Sequence, residues 1–269
     1  MQPMRRLDLS AVERALREVQ GRFAELSQHF TEPRDPFTDE VLLNVVEGYA
    51  LIDDYVARGI DLFDLQQLNL MLEINATVLC GRDPARRVEF AAHLAATEAH
   101  FFNNVEGGIK DLHNWYCAYR SDSIWKRAAG VYVRILSKPQ LFIEGNNRTG
   151  SLIVSYLLMR TGLPPFVLSL DNAEGYFNPS SVIRNSAKHG VKALYELPKI
   201  KKKYAAFLEA KAPAPGKFFL GATAVPVCAG GADATVHPDR ARAAGHRAQA
   251  QAWPGAHFVR YRRHPGLPA

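Results

Sequence analysis

The residues best suited to chemistry lie in one stretch, Pro139-Gln140-Leu141-Phe142-Ile143-Glu144-Gly145-Asn146-Asn147-Arg148-Thr149-Gly150. Gly145, Asn146 and Asn147 tolerate left-handed backbone angles. A loop built from them can turn successive amides inward as an anion nest. The helix expected next, from about Arg148 or Thr149, points its positive end at the same place. Arg148 adds a planar fork of donors that matches phosphate. Glu144 can hold Mg2+ between itself and phosphate oxygens. Together these groups describe a site for a Mg-bound di- or triphosphate. Gly-Asn-Asn alone reads better as an ordinary polar loop between two helices; it is the ordering of the whole segment that favours the site.

The elements that must position this loop read as helices. Ser10-Ala11-Val12-Glu13 has the form of a capping box, so a first helix is expected from there to about His29. Pro33 and Pro36 break the chain, and Thr38 can cap a second helix ending near Gly59. Asp61 or Asp64 can start a third, running to Cys80. Asp83-Pro84 opens a fourth, which can reach Tyr119 with a break at Gly107-Gly108. Ile124, Ala128, Val131, Ile135 and Leu136 mark one face of a helix over 123–137. Residues 149–160 are apolar almost all round, which predicts a helix buried on most sides. Helical stretches over 173–188 and 191–211 complete a mainly α body. Leu163 to Leu168, with two prolines, reads as packing or as an extended segment beside the loop.

The stretch 140–151 resembles the active-site signature of the Fic family, H-x-F-x-[DE]-G-N-x-R-x-x-R. Phe142, Glu144, Gly145, Asn146 and Arg148 match it in unbroken register. The resemblance implies a Fic-like helical bundle with the active-site loop between two central helices. It also implies transfer of AMP from ATP to a hydroxyl of a target protein. Glu144 would then bind the metal, Gly145, Asn146, Asn147 and Arg148 would cradle the phosphates, and Phe142 would anchor the loop. ATP or another nucleotide, Mg2+ and a protein target are the partners implied.

Two positions depart from that signature. Its general base, a His, falls on Gln140, and a carboxamide has no useful basicity near neutral pH. Its second Arg falls on Ser151, which removes a charged contact to phosphate worth about 1.5–3 kcal/mol. An active adenylyltransferase and an inactive nucleotide-sensing or interaction module therefore both remain open. His100, His113 and His189 read as surface or half-buried helix residues, and none has a spacing that ties it to the loop. The hairpin flap of the family looks short or absent, since Trp115 and Ile124 leave little room for one. Glu47-Gly48 and Glu106-Gly107 resemble the family's inhibitory motif but lack its Ser or Thr, and read better as solvated helix-face carboxylates.

Composition bounds the rest. Three cysteines, Cys80, Cys117 and Cys228, show no metal-ligand spacing and read as reduced thiols. No apolar run predicts a membrane span, and no apolar segment follows the basic start, so a cytoplasmic protein is expected. The net charge is +6, but residues 212–269 hold seven Lys or Arg against two Asp, a net +5. The basicity therefore says little about nucleic acid binding by the body. The segment 212–269 also lacks Ile, Glu, Ser, Asn and Met. It reads as an irregular basic tail, or as the product of a shifted reading frame. Three parts are expected: an N-terminal helical region over 1–82, a core over 83–211 and the tail over 212–269.

Overall fold

The computed structural model describes residues 5–103 and 107–220. The described residues all fall within one compact unit, Met1–Val225. Every regular element among the described residues is a helix. They are α1 (Leu9–Gly21), α2 (Phe23–Ser27), α3 (Asp39–Ala57), α4 (Asn69–Cys80), α5 (Pro84–Glu89), α6 (Ala91–Phe101), α7 (Ile109–Ala118), α8 (Ile124–Leu136), α9 (Asn146–Met159), α10 (Ala173–Asn185) and α11 (Val191–Ala210).

Helix α9 is the centre of the bundle. It packs along α8 on one side and against α3 and α4 on others, while α11 lies on the far face of α8. The near-continuous apolar sequence of α9 explains this, because Leu152, Ile153, Val154, Tyr156, Leu157 and Leu158 are all buried. Gly150 permits the close approach of α8. A Cβ there would lie 3.0 Å from the Tyr132 ring and 3.2 Å from Leu136.

Several helix starts differ from the sequence reading, for local reasons. Asp8, not Ser10, caps α1, its carboxylate accepting from the Ala11 amide at 3.0 Å. The helix expected to reach His29 breaks at Arg22 into α1 and α2. Thr38 does cap α3. Asp61 and Asp64 start no helix. Each bonds the amide two residues ahead, at Phe63 and Gln66, and so holds a turn instead. Asp83 caps α5 as expected, but the long fourth helix resolves into α5, α6 and α7. Only residues 119–123 join α7 to α8, so this connection carries no hairpin flap.

The start of the composition-biased segment is part of the fold. Phe218 and Phe219 are buried, and Leu7 and Phe219 form an antiparallel bridge. The Asp8 amide donates to Phe218 and the Leu220 amide to Arg6. The first residues of that segment are therefore tied to the start of the chain through Phe218 and Phe219. Residues 221–269 lie outside the described residues. No helix among the described residues is long and apolar enough to cross a membrane.

Candidate functional site

The loop stands between α8 and α9, and its backbone is held from three directions. Phe142 is buried and stacks on Phe101 of α6, with ring centroids 5.4 Å apart. Asn146 turns its side chain back into the loop. Its oxygen accepts from the Phe142 amide at 3.0 Å and its nitrogen donates to the Phe142 carbonyl at 2.7 Å. From α4, buried Asn75 donates to the Glu144 carbonyl at 2.9 Å and to the Thr149 hydroxyl at 3.0 Å. Gly145 sits at φ 72°, the left-handed region, with Asn75 Nδ2 only 3.0 Å from where a Cβ would be.

That left-handed glycine is the N-cap of α9, so the helix begins at Asn146 rather than at Arg148 or Thr149. The Thr149 amide donates to the Gly145 carbonyl at 2.9 Å. The amides of Asn146, Asn147 and Arg148 precede it in the first turn, where no intrahelical acceptor exists. Asn146, Asn147 and Arg148, with Glu144 and Gln140, line a cavity of about 530 Å³. The second wall of this cavity comes from Pro33, Arg34, Asp35 and Phe37, and a third from Tyr49, Phe166 and Tyr176. The Tyr176 hydroxyl donates to the Asn147 carbonyl at 2.9 Å.

Arg34, Arg148 and Arg184 and the carboxylates of Asp35 and Glu144 line this cavity, and Arg184 pairs with Glu32 outside it. Arg148 donates to the Val78 carbonyl at 2.7 Å and forms no salt bridge among the described residues. Burial pushes its proton affinity below the ordinary arginine range. Arg34 donates to the Phe177 carbonyl at 2.7 Å and to the Ser181 hydroxyl, but its Nε is buried without a partner. Burial lowers its proton affinity too, and the nearby Arg184 adds to the effect. Two partly desolvated cations without a salt bridge among the described residues thus lie beside a helix start.

Glu144 extends outward, its side chain 66% exposed, with His93 Nε2 4.0 Å away. Asp35 is the other carboxylate on the cavity. No group of three His, Cys, Asp or Glu that could hold a metal by itself is found among the described residues, so a divalent cation here would need phosphate and water to complete its shell. Gln140 is tied into the loop, donating to the Leu136 carbonyl at 3.1 Å and accepting from Asn146 at 3.3 Å. Ser151 donates to the Arg148 carbonyl at 2.8 Å. The Glu47 carboxylate accepts from the Arg82 amide at 2.9 Å, in a separate hollow with Asn44 and Arg82. Glu106 lies outside the described residues.

Arg34, Tyr176 and Asn75 are not evident in the sequence. Arg34 and Tyr176 lie far from the loop along the chain. Asn75 leaves one faint signal, an amide in the apolar run of α4. His113 lies near Cys117 and His189 beside Asp111. His100, though half-buried on α6 as read, is brought to the loop, with its Nε2 2.9 Å from the Gln140 carbonyl.

Fold and site thus define a helical protein with a cationic cavity at the start of its central helix. The chain is 27% identical over 117 residues to Protein adenylyltransferase fic-1 of Caenorhabditis elegans, a match covering 40% of this chain and 22% of that protein. That similarity suggests the Fic family. This chain corresponds to under a quarter of the worm protein's length. No family model matches the chain, and no solved structure matches it.

Proposed function

We propose that this protein binds a Mg2+-bound nucleotide at the loop over 140–151 and belongs, by site chemistry, with the protein adenylyltransferases. One observation carries the reading. Burial lowers the proton affinity of Arg148 and of Arg34, neither forms a salt bridge among the described residues, and both line the cavity that Asn146 and Asn147 also line. An oligophosphate answers both cations at once. Asn146, Asn147 and Arg148 offer amides to it. Arg148 offers its guanidinium from one side and Arg34 from the other. Arg34 thereby takes the part of the second Arg that the motif lacks at Ser151. The side chain of Asn146 shapes the loop and leaves its backbone amide for the ligand.

Glu144 would hold Mg2+ from the open side. The bound ion would supply neutralising charge on the phosphates. Tyr49, Phe166 and Tyr176 give the cavity an apolar wall suited to a base or ribose face. The acceptor expected by similarity is a hydroxyl of a target protein.

Gln140 favours a second reading, a nucleotide-sensing module without turnover. Its carboxamide is engaged inside the loop and cannot serve as a general base.

Crystals soaked with ATP and MgCl2 test the binding. Density for phosphates against the Asn146, Asn147 and Arg148 amides, with Arg34 turned onto them, is the expected result. An empty cavity at millimolar ATP, or a nucleotide bound elsewhere, overturns the proposal.

A further inference from the structure

His100 closes the last turn of α6. Its Nε2 lies 2.9 Å from the backbone carbonyl of Gln140. A carbonyl only accepts, so Nε2 must carry a proton. In the neutral ring the lone pair therefore sits on Nδ1. No described residue hydrogen-bonds to Nδ1.

The ring borders an open groove that it shares with Lys138 and Asn185. Gln140, Ile143 and Arg184 line both this groove and the phosphate cavity, so only the loop and Arg184 stand between the two hollows. The Phe101–Phe142 stack fixes α6 against that loop one residue beyond His100. The basic lone pair that the motif lacks at Gln140 is thus present on the neighbouring helix, hydrogen-bonded through its other nitrogen to that same residue.

We propose that His100 is the general base of this protein, acting on a hydroxyl that enters through the groove. This rests on the nucleotide reading above. The hydroxyl oxygen attacks the α-phosphorus of ATP and a new P–O bond forms. The bond from that phosphorus to the bridging oxygen breaks, and pyrophosphate leaves with the electron pair. The hydroxyl proton passes to Nδ1 of His100 and then to solvent. Water in place of the target hydroxyl gives AMP and pyrophosphate by the same steps, so turnover is measurable without a known target.

Pyrophosphate release from ATP with MgCl2 and, separately, ATP binding by calorimetry test this. The wild type should bind ATP and release pyrophosphate. In His100→Gln the new carboxamide still donates to the Gln140 carbonyl, which keeps the structural contact and removes the base. It should bind ATP as tightly and release pyrophosphate about 10²–10⁴-fold more slowly. Adding Gln140→His to that variant should restore release, and free imidazole should restore it in His100→Ala. Binding without release by the wild type, or release by His100→Gln at the wild-type rate, overturns the role of His100 and leaves the phosphate site standing. Absence of ATP binding in the wild type overturns the nucleotide reading, and this proposal with it.

Discussion

The two ends of α9 treat their polar groups in opposite ways. In its second half every buried hydroxyl is answered from within. Ser155 donates to the carbonyls of Ser151 and Phe166, both at 2.8 Å. Tyr49 shares the Phe166 carbonyl. Tyr156 donates to Ile60 and accepts from the Leu62 amide at 3.2 Å. At the first turn the pattern reverses, with amides that have no intrahelical acceptor, guanidiniums without carboxylates and a buried Arg34 Nε without a partner. A folded chain pairs its buried polar groups wherever it can. The end where it leaves them unpaired, next to open space, is the end built for a ligand.

Substitutions should separate the two ends. The largest effect is expected at the cavity. Arg148→Ala should weaken ATP binding by about 10–100-fold, the equivalent of one lost charge-assisted contact. A fluorescent ATP analogue displaced by unlabelled ATP measures it. In the ligand-free fold Arg148→Met relieves a buried cation without a salt bridge but strips the Val78 carbonyl of its donor, so stability should change by no more than about 1–3 kcal/mol. Melting temperatures without nucleotide check this.

At the opposite end the signs exchange. Tyr156→Phe leaves the Ile60 carbonyl and the Leu62 amide unanswered and should cost about 1–3 kcal/mol of stability. Urea unfolding reads that loss, while ATP affinity stays unchanged.

A smaller effect is expected at Lys188, beyond both ends. It is buried, donates to the Gly107 carbonyl, and burial brings its pKa down to about 7. Between about pH 7 and the usual lysine range the unfolded chain therefore holds a proton that the folded protein does not. The contribution of Lys188 makes stability rise with pH across that window. Lys188→Met should remove this contribution and flatten the rise of melting temperature from pH 7 to 9.

The same contrast explains what the sequence disclosed. Gly145, Glu144, Phe142 and Arg148 were legible because a turn, a helix start and the groups on it are contiguous in the chain. The apolar pattern of α9 announced a buried central helix for the same local reason. Helix starts were less legible. Asp61 and Asp64 have the residue type of a cap yet close turns, and the choice depends on where the next residues pack. The remaining half of the cavity was not legible. Arg34 and Tyr176 come to the cavity through the tertiary fold, and neither has a sequence context that marks it. The spacing of His100 does not tie it to the loop, because it is the packing of Phe101 on Phe142 that brings α6 there.

The central claim is that Arg34 and Arg148, with the first turn of α9, form one phosphate site. Calorimetric titration of ATP with MgCl2 into the wild type and into Arg34→Met/Arg148→Met tests it most directly. A single saturable site in the wild type, weakened at least about 100-fold in the double variant, is the result predicted. Equal affinity in the two proteins, or no heat of binding in the wild type at millimolar ATP, contradicts it.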